Sequence, residues 1–137
     1  MSVWSNTLPG GAALSGQEGT LVCVSIDVDP RDLEALLEAL AQVGFPVNPE
    51  IYHDAALVYV GADGGEERRS TTLVEFPAYE RRLAEVRAAL EKHGFDPAHV
   101  QVIGMLDAIH SGSVPEPLPP GSAYVSRYRV RRRPAAA

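Results

Sequence analysis

The sequence predicts an α+β domain in which one strand-helix-strand unit is used twice. Two helix-like stretches with leucine or valine at helical spacing end in Gly-Phe, at Gly44-Phe45 and at Gly94-Phe95. Each Gly-Phe leads through a proline-containing turn into an apolar stretch, so the unit recurs 50 residues along the chain. Alternating apolar runs before, between and after the helices supply the strands.

The elements follow in order. Val22, Val24, Ile26 and Val28 alternate with Cys23, Ser25 and Asp27, the period of a strand with one buried face. Asp29-Pro30 then starts a helix: the carboxylate accepts from free N–H groups, and proline lacks the N–H that would be orphaned anyway. Leu33, Leu36, Leu37 and Leu40 form its apolar stripe, and Gly44 in a left-handed conformation would close it. Residues 47–60 read as a second strand, bent or bulged near Pro49 and Asp54, and firmest from Leu57 to Val60. Thr71 to Phe76 is the third strand, joined to the second by a glycine-rich hairpin loop at 61–69. Pro77 opens the second helix, with Tyr79, Leu83, Val86 and Leu90 along one face, and Val100 to Leu106 is the fourth strand. The order βαββαβ folds most simply into a ferredoxin-like arrangement, an antiparallel four-stranded sheet with two helices on one face.

Around that domain, at 20–110, the chain divides into three further parts. Residues 1–19, rich in Gly, Ser and Ala with a single Trp4, read as a flexible arm on which Trp4 could dock locally. Residues 111–122 carry Pro115, Pro117, Pro119 and Pro120 and read as an extended linker. Residues 123–137 read as a basic tail able to add a C-terminal edge strand, because Val125, Arg127, Arg129 and Arg131 alternate with Tyr124, Ser126, Tyr128 and Val130.

Charge and composition narrow the function. The 137 residues are 45% hydrophobic, enough for one core, without the uninterrupted run of about 20 apolar residues that a membrane helix needs. Arg127, Arg129, Arg131, Arg132 and Arg133 are five of the 12 basic residues, so residues 1–126 hold 7 basic against 18 acidic groups, a formal charge of −11. An acidic body argues against nucleic acid or an anionic membrane as its partner, and the acidic body itself is the nearest partner for the arginine tail. One cysteine excludes an internal disulfide, and no secretory leader is read, which points to the cytoplasm.

Candidate chemistry is sparse. Asp27, Asp29 and Asp32 resemble a hard-metal cluster, but helix capping explains Asp29 and Asp32 more economically, so no metal is assigned. No cofactor motif is present, since the loop at Gly61 to Gly65 lacks the Lys-Ser/Thr of a phosphate cradle. The four histidines, His53, His93, His99 and His110, show no ligand spacing. If the chain is an enzyme, Asp107 and His110, with His53, are the residues available for acid–base work. Cys23, with no neighbouring histidine, reads as a small apolar filler rather than a nucleophile. The sheet face away from the helices is the most suggestive site. There Cys23 and Ser25 lie beside Ile103 and Met105 of the neighbouring strand, a face too apolar for open water, while Arg68 and Arg69 of the hairpin are placed to touch an anionic ligand.

The segment Asp27 to Val47, Asp-Val-Asp-Pro-Arg-Asp-Leu-Glu-Ala-Leu-Leu-Glu-Ala-Leu-Ala-Gln-Val-Gly-Phe-Pro-Val, resembles the first strand-helix-strand of ACT-type regulatory domains. The hairpin loop is similar to the signalling loop of PII-like trimers. The ACT resemblance implies small effectors bound between paired copies. The expectation is therefore a non-enzymatic regulatory, ligand-sensing or assembly domain that forms a homodimer through its sheet face, with a small-molecule effector as a further partner. Two alternatives are a small enzyme of the dimeric α+β barrel kind with its cavity on that face, and an interaction module whose arginine strand augments a partner's sheet.

Overall fold

The computed structural model describes residues 15–16, 19–111 and 113–131. Most of the expected arm, Trp4 included, and Arg132 and Arg133 of the tail lie outside the described residues. The strands are β1 (Ser15–Gly16), β2 (Gly19–Val28), β3 (Glu50–Val60), β4 (Glu66–Tyr79), β5 (Val100–Gly104), β6 (Glu116–Pro117) and β7 (Ser126–Val130). The helices are α1 (Leu33–Leu40), α2 (Leu83–Lys92) and α3 (Met105–Ser111), and short 3-10 turns lead into α1, α2 and β5.

Local signals account for the helix ends. Asp29 accepts from Arg31 N at 2.9 Å, the cap read from the sequence, and Pro30 follows it. Gly94 takes φ +85° and closes α2, with Phe95 N donating to Leu90 O at 2.9 Å. Gly44 behaves differently. It does not enter the left-handed region; instead its N–H donates to Glu85 of α2, and a Cβ there would sit 2.8 Å from Glu85 Oε2. The two Gly-Phe pairs thus have different physical reasons, one conformational and one a close approach.

The four-stranded ferredoxin-like sheet with two helices is not what this chain builds. Six strands, in the order β5-β2-β4-β3-β7-β6, pair antiparallel and curl into a nearly closed barrel, accompanied by three short helices; β1 adds a two-residue pairing to β2. Three causes combine. The β3–β4 ribbon is long, so residues Glu66 to Thr71 run beyond β2 and pair with β3 alone. The ladder between them shifts register between Tyr52 and Ala55, at the bend read from the sequence, and a bulge increases local twist. The tail then pairs with the outer edge of β3 from Ala56↔Val130 to Val60↔Ser126 as an integral strand. The stretch read as a linker holds β6, which pairs with β7. Side chains close the remaining gap to β5: Arg127 Nη2 donates to Ala98 O at 2.7 Å, Arg129 Nη2 to His99 O at 3.2 Å, and Gln101 Nε2 to Val114 O at 3.0 Å.

The main core lies on the outer face, where α1 and α2 cover β2 and β4. Val24, Ile26, Val28, Val74, Phe76 and Ala78 meet Leu36, Leu40, Val86 and Leu90 there. Burying each of the larger side chains contributes about 1.5–3 kcal/mol. The inner face of the curl is different in kind, because it carries charge.

Candidate functional site

Alternation sends Cys23, Ser25 and Asp27 of β2 to the inner face, opposite the helix core. Gln101 and Ile103 of β5 pair there with Ser25 and Cys23, and Glu75 of β4 pairs with Ser25 from the other side. Arg127 and Arg129 of β7 pair with Tyr59 and Leu57 and point the same way, as does Arg131 just beyond the strand. Curling brings these strands face to face.

Arg129 sits at the centre, its side chain 1% exposed. Its Nε donates to Glu116 Oε2 at 3.0 Å, and Nη1 reaches Ser25 Oγ at 3.3 Å. Nη2 stands 3.1 Å from Asp27 Oδ1, an ion pair without hydrogen-bond alignment, while His99 Nδ1 stands 2.7 Å from Asp27 Oδ2. Arg131 Nε donates to both Glu75 oxygens, at 2.7 and 2.6 Å, and Ser25 Oγ donates to Glu75 Oε2 at 2.8 Å. Arg127 pairs with Glu116 at 3.3 Å. Three guanidinium groups therefore face three carboxylates, Asp27, Glu75 and Glu116, and the charges balance.

The inner face is thus occupied by the chain's own arginines rather than left apolar. Cys23, Ser25 and Ile103 do lie together on it, as the strand pattern predicts. Met105 does not, because β5 stops at Gly104 and Met105 begins α3. Arg68 and Arg69 are exposed residues of β4, and Arg69 stacks over Tyr59 at 4.4 Å while bonding Glu67 at 2.7 Å. His53 is exposed within the β3 bulge, and Asp107 and His110 are exposed on α3; among the described residues no hydrogen bond or ion pair joins the three.

The environment quenches reactivity. Burial, followed by the Glu75 carboxylate, pushes the Cys23 thiol up to about 11, so it stays protonated near neutral pH. Burial, with the hydrogen bond from its hydroxyl to Glu50 adding to it, pushes Tyr52 up to about 12. Among the described residues no group of three His, Cys, Asp or Glu side chains is placed to hold a metal ion.

Of the residues at the heart of this face, the sequence reading placed Asp27 in a candidate metal cluster and Arg129 in the basic edge strand, whereas Glu75 and Glu116 were not singled out and the four were not joined into one site. Their one signal is parity: Asp27 and Glu75 interrupt apolar strands on the same face as Ser25.

A second feature lies on the helix side. Two apolar hollows of about 370 Å³ each flank Phe45-Pro46. Leu37, Leu40, Ala41, Val47 and Pro49 line one, and Leu21, Pro77, Ala78, Tyr79 and Arg82 the other. The loop between them is clamped from α2: Glu85 accepts from Gly44 N and from Arg82 Nε at 3.0 Å, and the Arg82 guanidinium lies 4.8 Å from the Phe45 ring centre.

Comparison of the chain with protein-family models and with curated proteins finds no match. Among the described residues no helix is long and apolar enough to cross a membrane.

Proposed function

We propose that the chain is a non-enzymatic ligand-sensing domain that takes up a small, largely apolar molecule of amino-acid size over Phe45-Pro46. The observation that carries this reading is the pair of apolar hollows either side of that dipeptide, with the Arg82 guanidinium at the rim. Small-molecule sites are concave, mostly apolar and furnished with few polar groups, and about 300 Å³ is their lower size. The inner sheet face suits a frame better than a catalytic cavity, since its carboxylates and guanidinium groups are consumed by one another and its thiol is held neutral. Self-association through that face is not part of this reading, because β7 and its arginines fill it.

Thermal-shift screening of aliphatic and aromatic amino acids, with nucleotides as a contrasting set, tests the reading. A ligand present at 100 times its Kd stabilises by about 2.7 kcal/mol, which moves the melting temperature visibly. Apolar amino acids should raise Tm in a dose-dependent way, and Ala41→Trp, which fills one hollow from an exposed position, should abolish the rise. A panel without a shift at millimolar concentration refutes the reading.

A further inference from the structure

Helix α3 carries two of the most exposed large apolar residues of the described chain, Leu106 at 54% and Ile109 at 68%. They lie three apart and so share one side of the helix. Met105, less exposed, stands next to Ile109 at i,i+4, and Ala108, also less exposed, lies further round the helix.

The start of the chain is delivered to the same place. β1 pairs on the edge of β2 opposite β4, which is the edge β5 uses. The β5 pairing ends at Val22↔Gly104, where the chain turns into α3, and Ser15 of β1 pairs with Thr20 two residues further along. Helix α3 packs against β2 here. Residues 1–14, Met-Ser-Val-Trp-Ser-Asn-Thr-Leu-Pro-Gly-Gly-Ala-Ala-Leu, therefore join the fold beside α3. They contain no charged side chain, and Val3, Trp4, Leu8 and Leu14 supply apolar surface.

We propose that the exposed face of α3 is the docking site for this N-terminal segment, with Trp4 covering Leu106 and Ile109. Reach is no obstacle: a seven-residue helix is about 10 Å long, and extended chain covers that in about three residues. Uncharged chain lies on an apolar patch without the desolvation cost an ionic segment would meet. Tethering decides between this occupant and a second copy of the chain, since a segment joined through a short length of chain is held at millimolar effective concentration.

Trp4 is the only tryptophan, so the intrinsic tryptophan fluorescence of the full chain reports on this segment alone. The emission of the native protein should be blue-shifted and protected from acrylamide, relative to the urea-unfolded chain. Leu106→Glu with Ile109→Glu should remove both effects while leaving the far-UV circular dichroism and the single-chain mass by light scattering unchanged. Three results overturn the proposal: a native emission equal to that of the unfolded chain, a blue shift that survives the double substitution, or a dimeric mass that the substitution halves. The last assigns the patch to a second copy. If the double variant loses its circular dichroism, Ile109→Ser alone replaces it, with the same fluorescence criteria.

Discussion

Replacing Arg129 with alanine removes the cation that, among the described residues, touches Asp27, Glu116 and Ser25 together. The magnitude follows from burial. The Arg129 side chain is 1% exposed, and its partners Asp27 and Glu116 are 6% and 14% exposed. Breaking a buried pair from one side strands the opposite charge and typically costs about 3–5 kcal/mol, against about 0–1 kcal/mol for a surface pair. His99 still faces Asp27, which keeps the expected loss within that range rather than above it. For a chain of this length the change corresponds to a fall in Tm of about 10–20 °C. Urea unfolding followed by far-UV circular dichroism measures it. The companion variant Asp27→Leu with Arg129→Met removes the buried pair while Glu116 keeps Arg127 as its partner, and it should recover most of the loss, since apolar side chains of similar volume replace a buried ion pair at little cost. A loss below about 1 kcal/mol for Arg129→Ala would refute the reasoning, because the network would then behave as a surface feature. So would a double variant no more stable than the single one.

Further outcomes follow from the same geometry. Truncation after Ser111 removes β6 and β7, uncovers Leu57 and Val58 and strands Asp27 and Glu75; the loss should approach a whole domain's stability of about 5–15 kcal/mol, seen as the absence of a cooperative urea transition. Cys23, with its thiol raised from the ordinary 9.0 to about 11, should react with iodoacetamide about 100-fold more slowly than a free thiol at neutral pH, and at the ordinary rate once unfolded. Gly44→Ala places a Cβ against the Glu85 carboxylate and should lower Tm by a few degrees, a penalty that Glu85→Ala relieves. The hydrogen bond from Gly44 N holds the Glu85 carboxyl below the ordinary carboxylate range, burial opposing and Arg82 adding to the effect. A lowered folded pKa stabilises above the unfolded value, and that stabilisation is lost as pH falls through the folded one. The Tm difference between wild type and Glu85→Gln should therefore close on acidification below the ordinary carboxylate range.

Much of the local structure was legible because it depends on near neighbours. The cap at Asp29, the stripe Leu33, Leu36, Leu37 and Leu40, the left-handed Gly94 and the bend near Asp54 each follow from side-chain chemistry within a few positions. Gly44 shows the limit of that logic. Its sequence context matches Gly94, yet its reason is a carboxylate 41 residues away. Met105 shows another, since an apolar run continuing past Gly104 cannot announce that the strand has become a helix. The arginine strand was read as a basic edge whose nearest partner is the acidic body, because an unpaired guanidinium group belongs in water. Nothing within the tail states that Asp27, Glu75 and Glu116 wait on the facing strands.

By itself the sequence determined the repeated strand-helix order, the helix core and the inward parity of Cys23 and Ser25, since each rests on periodicity and on groups already adjacent in the chain. Tertiary structure alone decided that the sheet has six strands and curls, that three arginines turn inward, and that the expected open face is filled. The physical reason is that burying a charge is favourable only beside its partner, and Arg129 and Asp27 stand about a hundred residues apart until folding brings them within 3.1 Å.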